Sequence, residues 1–134
     1  MEKKVLSLVE RDLTTGPALS SWEFIAGILA FTVPRFSFTE SSLLNFLANL
    51  VRVRDGGRCF LLVCTTKQRN VVVRQTLDFM EMGSLVVCDP DNERFELYHG
   101  IQSSFIKDLR ARGVLPLREK LFRVLSEEFQ ANAN

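Results

Sequence analysis

The strongest constraint on the fold is a helix-like segment that ends at Gly83 and is followed at once by a hairpin-like segment. Residues 69–82 carry apolar side chains at helical spacing, and glycine commonly follows the last residue of a helix. Residues 84–88 and 94–99 are short runs rich in Val, Phe, Leu and Tyr, and the stretch between them is rich in turn formers. The pattern predicts a helix followed by two antiparallel strands.

The segments on both sides of this unit have the periodicity of helices, so the fold class is predicted as mainly α with a small β-hairpin. Thr39 can begin one of these helices, but it offers only half a capping box because neither Glu nor Gln stands three residues on. Residues 58–64 fit a buried strand as well as a short buried helix, because so short a run does not separate the two. The other predicted helices cover residues 1–13, 20–33, 39–51, 103–112 and 116–129.

Composition and charge favour one compact domain with an uneven surface. The chain has 134 residues, of which 46% are hydrophobic and 25% are charged, and this suffices for a core. The net charge is only +1. Residues 52–74, however, contain six basic residues and one acidic residue, or +5, so the remainder carries −4. A basic segment of this kind is typical of a surface that meets nucleic acid.

The order of helix, turn, short helix, turn, helix and hairpin is that of a winged helix-turn-helix module. Residues 70–100 resemble the recognition helix and wing of the MarR family, and the resemblance extends over residues 41–100. The matching positions are Val72, Arg74, Phe79, Gly83, Leu85, Val86, Asp89, Pro90, Asp91 and Arg94, with Phe79 at the place of a buried Leu and Arg94 displaced by one.

The resemblance implies a transcriptional regulator that binds double-stranded DNA as a homodimer. Residues 1–134 would form a single domain, with the winged helix-turn-helix over 36–100 and dimerisation helices over 1–35 and 101–134. A small-molecule effector is possible in such a protein, although no residue marks its pocket. The apolar dimer surface would come from Trp22, Phe24, Ile28 and Phe31, and from Leu121, Phe122, Leu125 and Phe129.

The expected DNA contacts follow from the predicted reading helix. Arg pairs well with guanine, and Asn or Gln pairs well with adenine. The residues expected at base edges are Gln68, Arg69, Asn70 and Arg74. Those expected at phosphates are Thr66, Lys67, Arg54 and Arg58, with Arg94 entering a groove from the wing.

The alternative is a winged-helix module that binds other proteins or acts as a scaffold, which the near-neutral charge and the acidic wing favour. We expect no enzyme, cofactor or metal, because the chain has one histidine, His99, and three cysteines without a metal-binding spacing. A sensing role for His99 or Cys64 stays open. No signal peptide or membrane-spanning stretch is recognised, so a cytoplasmic location is expected.

Overall fold

A computed structural model of the chain describes residues 8–9, 19–33, 35–50, 61, 64–82, 86–91, 93–97, 99–113, 115 and 118–132. Within these residues the fold is mainly helical, with five helices and one three-stranded antiparallel sheet, which confirms the predicted class. Most of the predicted helix over 1–13 and of the ambiguous segment over 58–64 lies outside them. The elements are α1 (Ser21–Ala30), β1 (Ser37–Thr39), α2 (Glu40–Asn49), α3 (Thr66–Met82), β2 (Val86–Asp89), β3 (Arg94–Leu97), α4 (His99–Ala111) and α5 (Glu119–Asn132).

Helix α1, which lies within the helix predicted over residues 20–33, begins with a complete capping box. The Ser20 hydroxyl accepts from the backbone N–H of Glu23 at 3.3 Å, and the Glu23 carboxylate accepts from the backbone N–H of Ser20 at 3.3 Å. Every residue from Glu23 to Ala30 is buried. A helix that is apolar nearly all round must be covered on several sides, and α3, α4 and α5 provide this cover.

Helices α1 and α5 approach each other closely at Gly27. A Cβ atom added to Gly27 would lie 2.5 Å from ring atoms of Phe122, which leaves no room for a side chain. One residue further along α1, the backbone carbonyl of Ile28 accepts a hydrogen bond from the Ser126 hydroxyl at 2.7 Å. A glycine is therefore required here by packing rather than by backbone conformation.

Thr39 ends β1 and caps α2 with a complete capping box, so the expectation of half a box is wrong. Its hydroxyl accepts from the backbone N–H of Ser42 at 3.0 Å, and the Ser42 hydroxyl accepts from the backbone N–H of Thr39 at 3.2 Å. A serine thus does what a longer Glu or Gln side chain usually does. The sequence does not predict β1, because three residues are too few to show alternation.

The sheet has the strand order β1-β3-β2, with both pairs antiparallel. The predicted hairpin is confirmed over Val86–Asp89 and Arg94–Leu97, and His99 begins α4 instead of ending a strand. Phe95 lies opposite Phe38 on one side and opposite Cys88 on the other. Glu93, in the turn, has a positive φ of 53°.

One cluster of buried apolar side chains draws on all eight elements. At its centre the Phe129 ring of α5 lies 5.7, 5.6 and 5.5 Å from the ring centroids of Phe36, Phe38 and Phe46. The rings meet edge-on or tilted, which are favourable geometries for aromatic pairs. The C-terminal helix is thereby part of the same core as the sheet.

The expectation that the terminal helices offer their apolar side chains to a second copy is wrong for most of the residues named. Six of the eight have an exposed fraction of 0%, because α1 and α5 bury their apolar faces against each other and the rest of the chain. Phe31 is partly buried, and Trp22 is 42% exposed with its ring against Phe105. The six buried residues are Phe24, Ile28, Leu121, Phe122, Leu125 and Phe129.

Candidate functional site

The helix predicted to read DNA, α3, starts three residues earlier than expected because of its cap. The Thr65 hydroxyl accepts from the backbone N–H of Gln68 at 3.2 Å. The side-chain oxygen of Gln68 accepts in turn from the backbone N–H of Thr65 at 2.8 Å. The residues just before the predicted helix therefore form its capping box. Gln68 remains exposed, but its oxygen stabilises the helix end.

Arg69 does not face solvent, so the expectation that it reads base edges is corrected. Its exposed fraction is 4%. Its Nε donates to the backbone carbonyl of Leu61 at 3.3 Å, and a terminal nitrogen donates to the backbone carbonyl of Cys64 at 3.3 Å. At position 69 the helical turn faces the core, and the guanidinium satisfies backbone carbonyls just before α3. Arg69 thus stabilises the fold by connecting the start of α3 to the backbone before it.

Arg74 is half-exposed and bound by acidic side chains. It forms ion pairs with Glu40 at the start of α2 and with Asp78 one turn along α3. Its guanidinium also lies over the ring of Phe95 on β3, 5.6 Å from the centroid. The hydrogen bond to Asp78 contributes most to raising the pKa of Arg74 above its ordinary value. The predicted base-reading arginine is therefore engaged within the protein.

Arg94 begins β3 next to the hairpin turn, opposite Asp89, but its side chain is engaged by β1. Its Nε donates to the Ser37 hydroxyl at 2.8 Å, and a terminal nitrogen donates to the backbone carbonyl of Ser37 at 2.9 Å. These contacts tie β3 to β1 and leave Arg94 partly buried. At the tip, a carboxylate oxygen of Asp89 accepts from the backbone N–H of Asp91 at 3.1 Å. The tip itself is acidic.

Four of the predicted contact residues are exposed: Thr66, Lys67, Gln68 and Asn70. The sequence prediction did not include Gln75 among the contact residues, although it is exposed on α3. Helical spacing could have identified it, because it lies opposite the buried Val73, Leu77 and Met80. Arg54 and Arg58 lie outside the described residues.

The second half of α3 has a different surface. Phe79 and Met82 are exposed by 67% and 85%, next to the acidic Asp78 and Glu81. The expectation that Phe79 takes the place of a buried leucine is wrong, because the core position is filled by Met80, which is 5% exposed. Val71, in the first half, is 49% exposed. The helix is thus basic and polar at its start and acidic and apolar at its end.

A cleft of about 340 Å³ lies between the start of α2, the middle of α3 and the hairpin. Glu40, Arg74, Glu93 and Phe95 line it, together with Cys88. Burial is the largest effect on the pKa of the Cys88 thiol and raises it, and the nearby Glu81 raises it further. Cys88 is therefore a neutral thiol at neutral pH and a poor nucleophile.

Cys64, for which the sequence left a sensing role open, forms a hydrogen bond within the protein. The Cys64 thiol donates to the backbone carbonyl of Leu61 at 3.1 Å. Among the described residues, no three His, Cys, Asp or Glu side chains are grouped as a metal site requires. Of the described helices, none has the length and hydropathy needed to cross a bilayer.

Comparison of the chain with protein-family models, curated proteins and solved structures finds no match. The function must therefore be inferred from the chain's own residues. The surface with the clearest chemical character is α3 together with the elements beside it.

Proposed function

We propose that the chain is a winged helix-turn-helix protein that binds double-stranded DNA through the first half of α3. The order of α2, α3 and the β2–β3 hairpin supports this proposal, because the module has this order with one short helix between α2 and α3, where most residues lie outside the described part of the chain. In such modules the start of the reading helix enters the major groove and the hairpin lies beside it. The resemblance to the MarR family is consistent with this order and is part of the proposal.

One observation carries the proposal: the first half of α3 is a solvent-facing surface without a single acidic residue. From Thr65 to Gln75 the chain contains only neutral and basic residues. Lys67, Asn70 and Gln75 are exposed there. Lys is suited to phosphate, and Asn and Gln are suited to the edge of adenine.

The N-terminal end of α3 also favours DNA binding. The N-terminus of a helix carries a partial positive charge and unpaired backbone N–H groups, both of which favour phosphate. The Thr65–Gln68 capping box fixes this end of the helix, and Arg69 ties it to the preceding segment. A rigid reading helix loses little entropy when it binds.

The salt dependence of binding to a fluorescent duplex of mixed sequence tests the proposal. We expect the affinity to fall steeply as salt rises, because phosphate contacts release counterions. Lys67→Ala should weaken binding and lower the salt slope by about 1. Lys120→Ala, which removes an exposed lysine from α5, is the matched control and should leave both unchanged. Equal effects of the two variants would contradict a role for α3.

Sequence reading is tested separately, by selecting preferred duplexes from a randomised pool. On a selected duplex, Asn70→Ala and Gln75→Ala should each cost about 1–3 kcal/mol, with a smaller loss on mixed sequence. An equal loss on both kinds of DNA would mean that these side chains contact only the backbone.

A second candidate function, a protein-binding module, is favoured by the exposed Phe79 and Met82. Large apolar side chains are typical anchors of protein interfaces. Retention on heparin separates the two candidates, because a DNA-binding protein elutes late and loses affinity with salt, whereas a protein-binding module does not.

The proposed homodimer needs a surface other than the six buried residues of the terminal helices. Of the eight apolar residues expected to form the dimer surface, Trp22 is the one that is substantially exposed. Light scattering gives the oligomeric state directly. In a DNA-binding dimer the two reading helices should lie about 34 Å apart, one turn of the duplex.

A further inference from the structure

The Arg74 side chain, on the surface proposed to meet DNA, is held by acidic side chains from two elements. Its Nε and one terminal nitrogen donate to Asp78 Oδ1 at 3.1 and 2.6 Å. Its other terminal nitrogen donates to Glu40 Oε1 on α2. With the Phe95 ring beneath the guanidinium, these contacts join α2, α3 and β3 around one cation.

These ion pairs occupy the groups that Arg74 needs for DNA. An arginine contacts guanine or phosphate most strongly with two N–H groups from one edge of the guanidinium. Asp78 takes the edge formed by Nε and one terminal nitrogen, and Glu40 takes a hydrogen of the other terminal nitrogen. The edge that faces Asp78 is therefore closed to DNA, and the other edge shares a terminal nitrogen with Glu40.

The two acids also oppose DNA directly. The Glu40 side chain is 26% exposed and the Asp78 side chain is 57% exposed, so neither is hidden from an approaching phosphate. Glu93 of the hairpin turn lines the same cleft and adds a third carboxylate. Around Arg74, negative charge outweighs positive charge among the described residues of the cleft. This contrasts with the acid-free first half of α3.

We propose that Glu40 and Asp78 form an autoinhibitory latch that withholds Arg74 from DNA. The latch rests on the proposed DNA-binding function. The free protein binds DNA through Lys67 and the start of α3, and more weakly than its cations allow. Arg74 contacts DNA only at a site where the free energy gained from that contact exceeds the free energy of the ion pair that is broken. The latch thus favours selective over unselective binding.

The test is the affinity of the E40Q/D78N variant for a fluorescent duplex of mixed sequence. We expect binding about ten-fold tighter than wild type and a salt slope greater by about 1, because Arg74 becomes free for one phosphate contact. Adding Arg74→Ala to this variant should abolish the gain. The matched control is E127Q/E128Q, which removes the same charge from α5 and should change affinity by less than half as much.

A milder variant covers the case in which E40Q/D78N does not fold, as judged by circular dichroism. Glu40→Gln alone leaves the pair between Arg74 and Asp78 in place and should tighten binding by about three-fold. If wild type binds with a dependence on Lys67 but neither variant exceeds the control, the latch is refuted and the DNA-binding function stands. If no variant binds DNA at all, both proposals are refuted.

Discussion

Replacement of the buried arginine of α3 distinguishes a structural role from a DNA-contacting role. Arg69→Met keeps the apolar stem of the side chain and removes the two hydrogen bonds to the Leu61 and Cys64 carbonyls. A hydrogen bond from a charged donor contributes about 1.5–3 kcal/mol, and removal of a buried charge offsets part of this loss. We expect the free energy of unfolding to fall by about 2 kcal/mol. For a chain of this size that lowers Tm by roughly 8 °C.

Thermal unfolding followed by circular dichroism measures the effect, with Lys67→Met as the control. Lys67 is exposed two positions away, so the control should change Tm by less than about 2 °C. DNA affinity, measured well below Tm, should show the reverse order, with a loss for Lys67→Met and little change for Arg69→Met. An unchanged Tm for Arg69→Met together with lost DNA binding would refute the structural role.

Three further outcomes follow from the packing and the ionisable groups. Gly27→Ala should cost about 1–3 kcal/mol of stability in urea unfolding, and Phe122→Leu should recover part of it, because the added Cβ meets the Phe122 ring. Burial raises the pKa of Glu23, but hydrogen bonds from Ser20 and the charge of Arg112 outweigh it and leave the pKa below its ordinary value of 4.5. The stability that Glu23 contributes is therefore present above pH 4.5 and lost as the pH falls through the lower folded-state pKa, and Glu23→Gln should flatten the stability profile over that acid range. The Cys88 thiol, with its raised pKa, should react with iodoacetamide more slowly than a free thiol at pH 8, and equal rates would contradict its neutral state.

The parts of the fold that the sequence predicted well are those specified by local signals. Helical periodicity over residues 20–33 indicates α1, and the turn formers after Cys88 mark the hairpin. β1 was missed because its three residues take their strand conformation from pairing with β3, a contact distant in the sequence. The start of α3 was misplaced because Thr65 and Gln68 look like a turn unless their capping role is recognised.

The site was predicted less well, because residue type does not reveal what a side chain contacts. Arg69, Arg74 and Arg94 looked equivalent as free cations in the sequence. Arg69 lies on the buried face, Arg74 finds Glu40 from another helix, and Arg94 finds Ser37 from another strand. Only Asp78, four residues after Arg74, was close enough in sequence to suggest a pair. Lys67 and Asn70 met the expectation of exposure.

The two surfaces of α3 are far enough apart to serve separate functions. Lys67 and Met82 are separated by about 22 Å along the helix axis, and the last proposed contact, Gln75, lies about 6 Å before Phe79. The major groove is only about 8.5 Å deep, and reading helices enter it by their first turns. The start of α3 can therefore occupy a groove while Phe79 and Met82 remain outside it. Phe79→Ser with Met82→Ser should then leave DNA affinity unchanged, and a loss as large as that of Lys67→Ala would mean that the whole helix lies against the duplex.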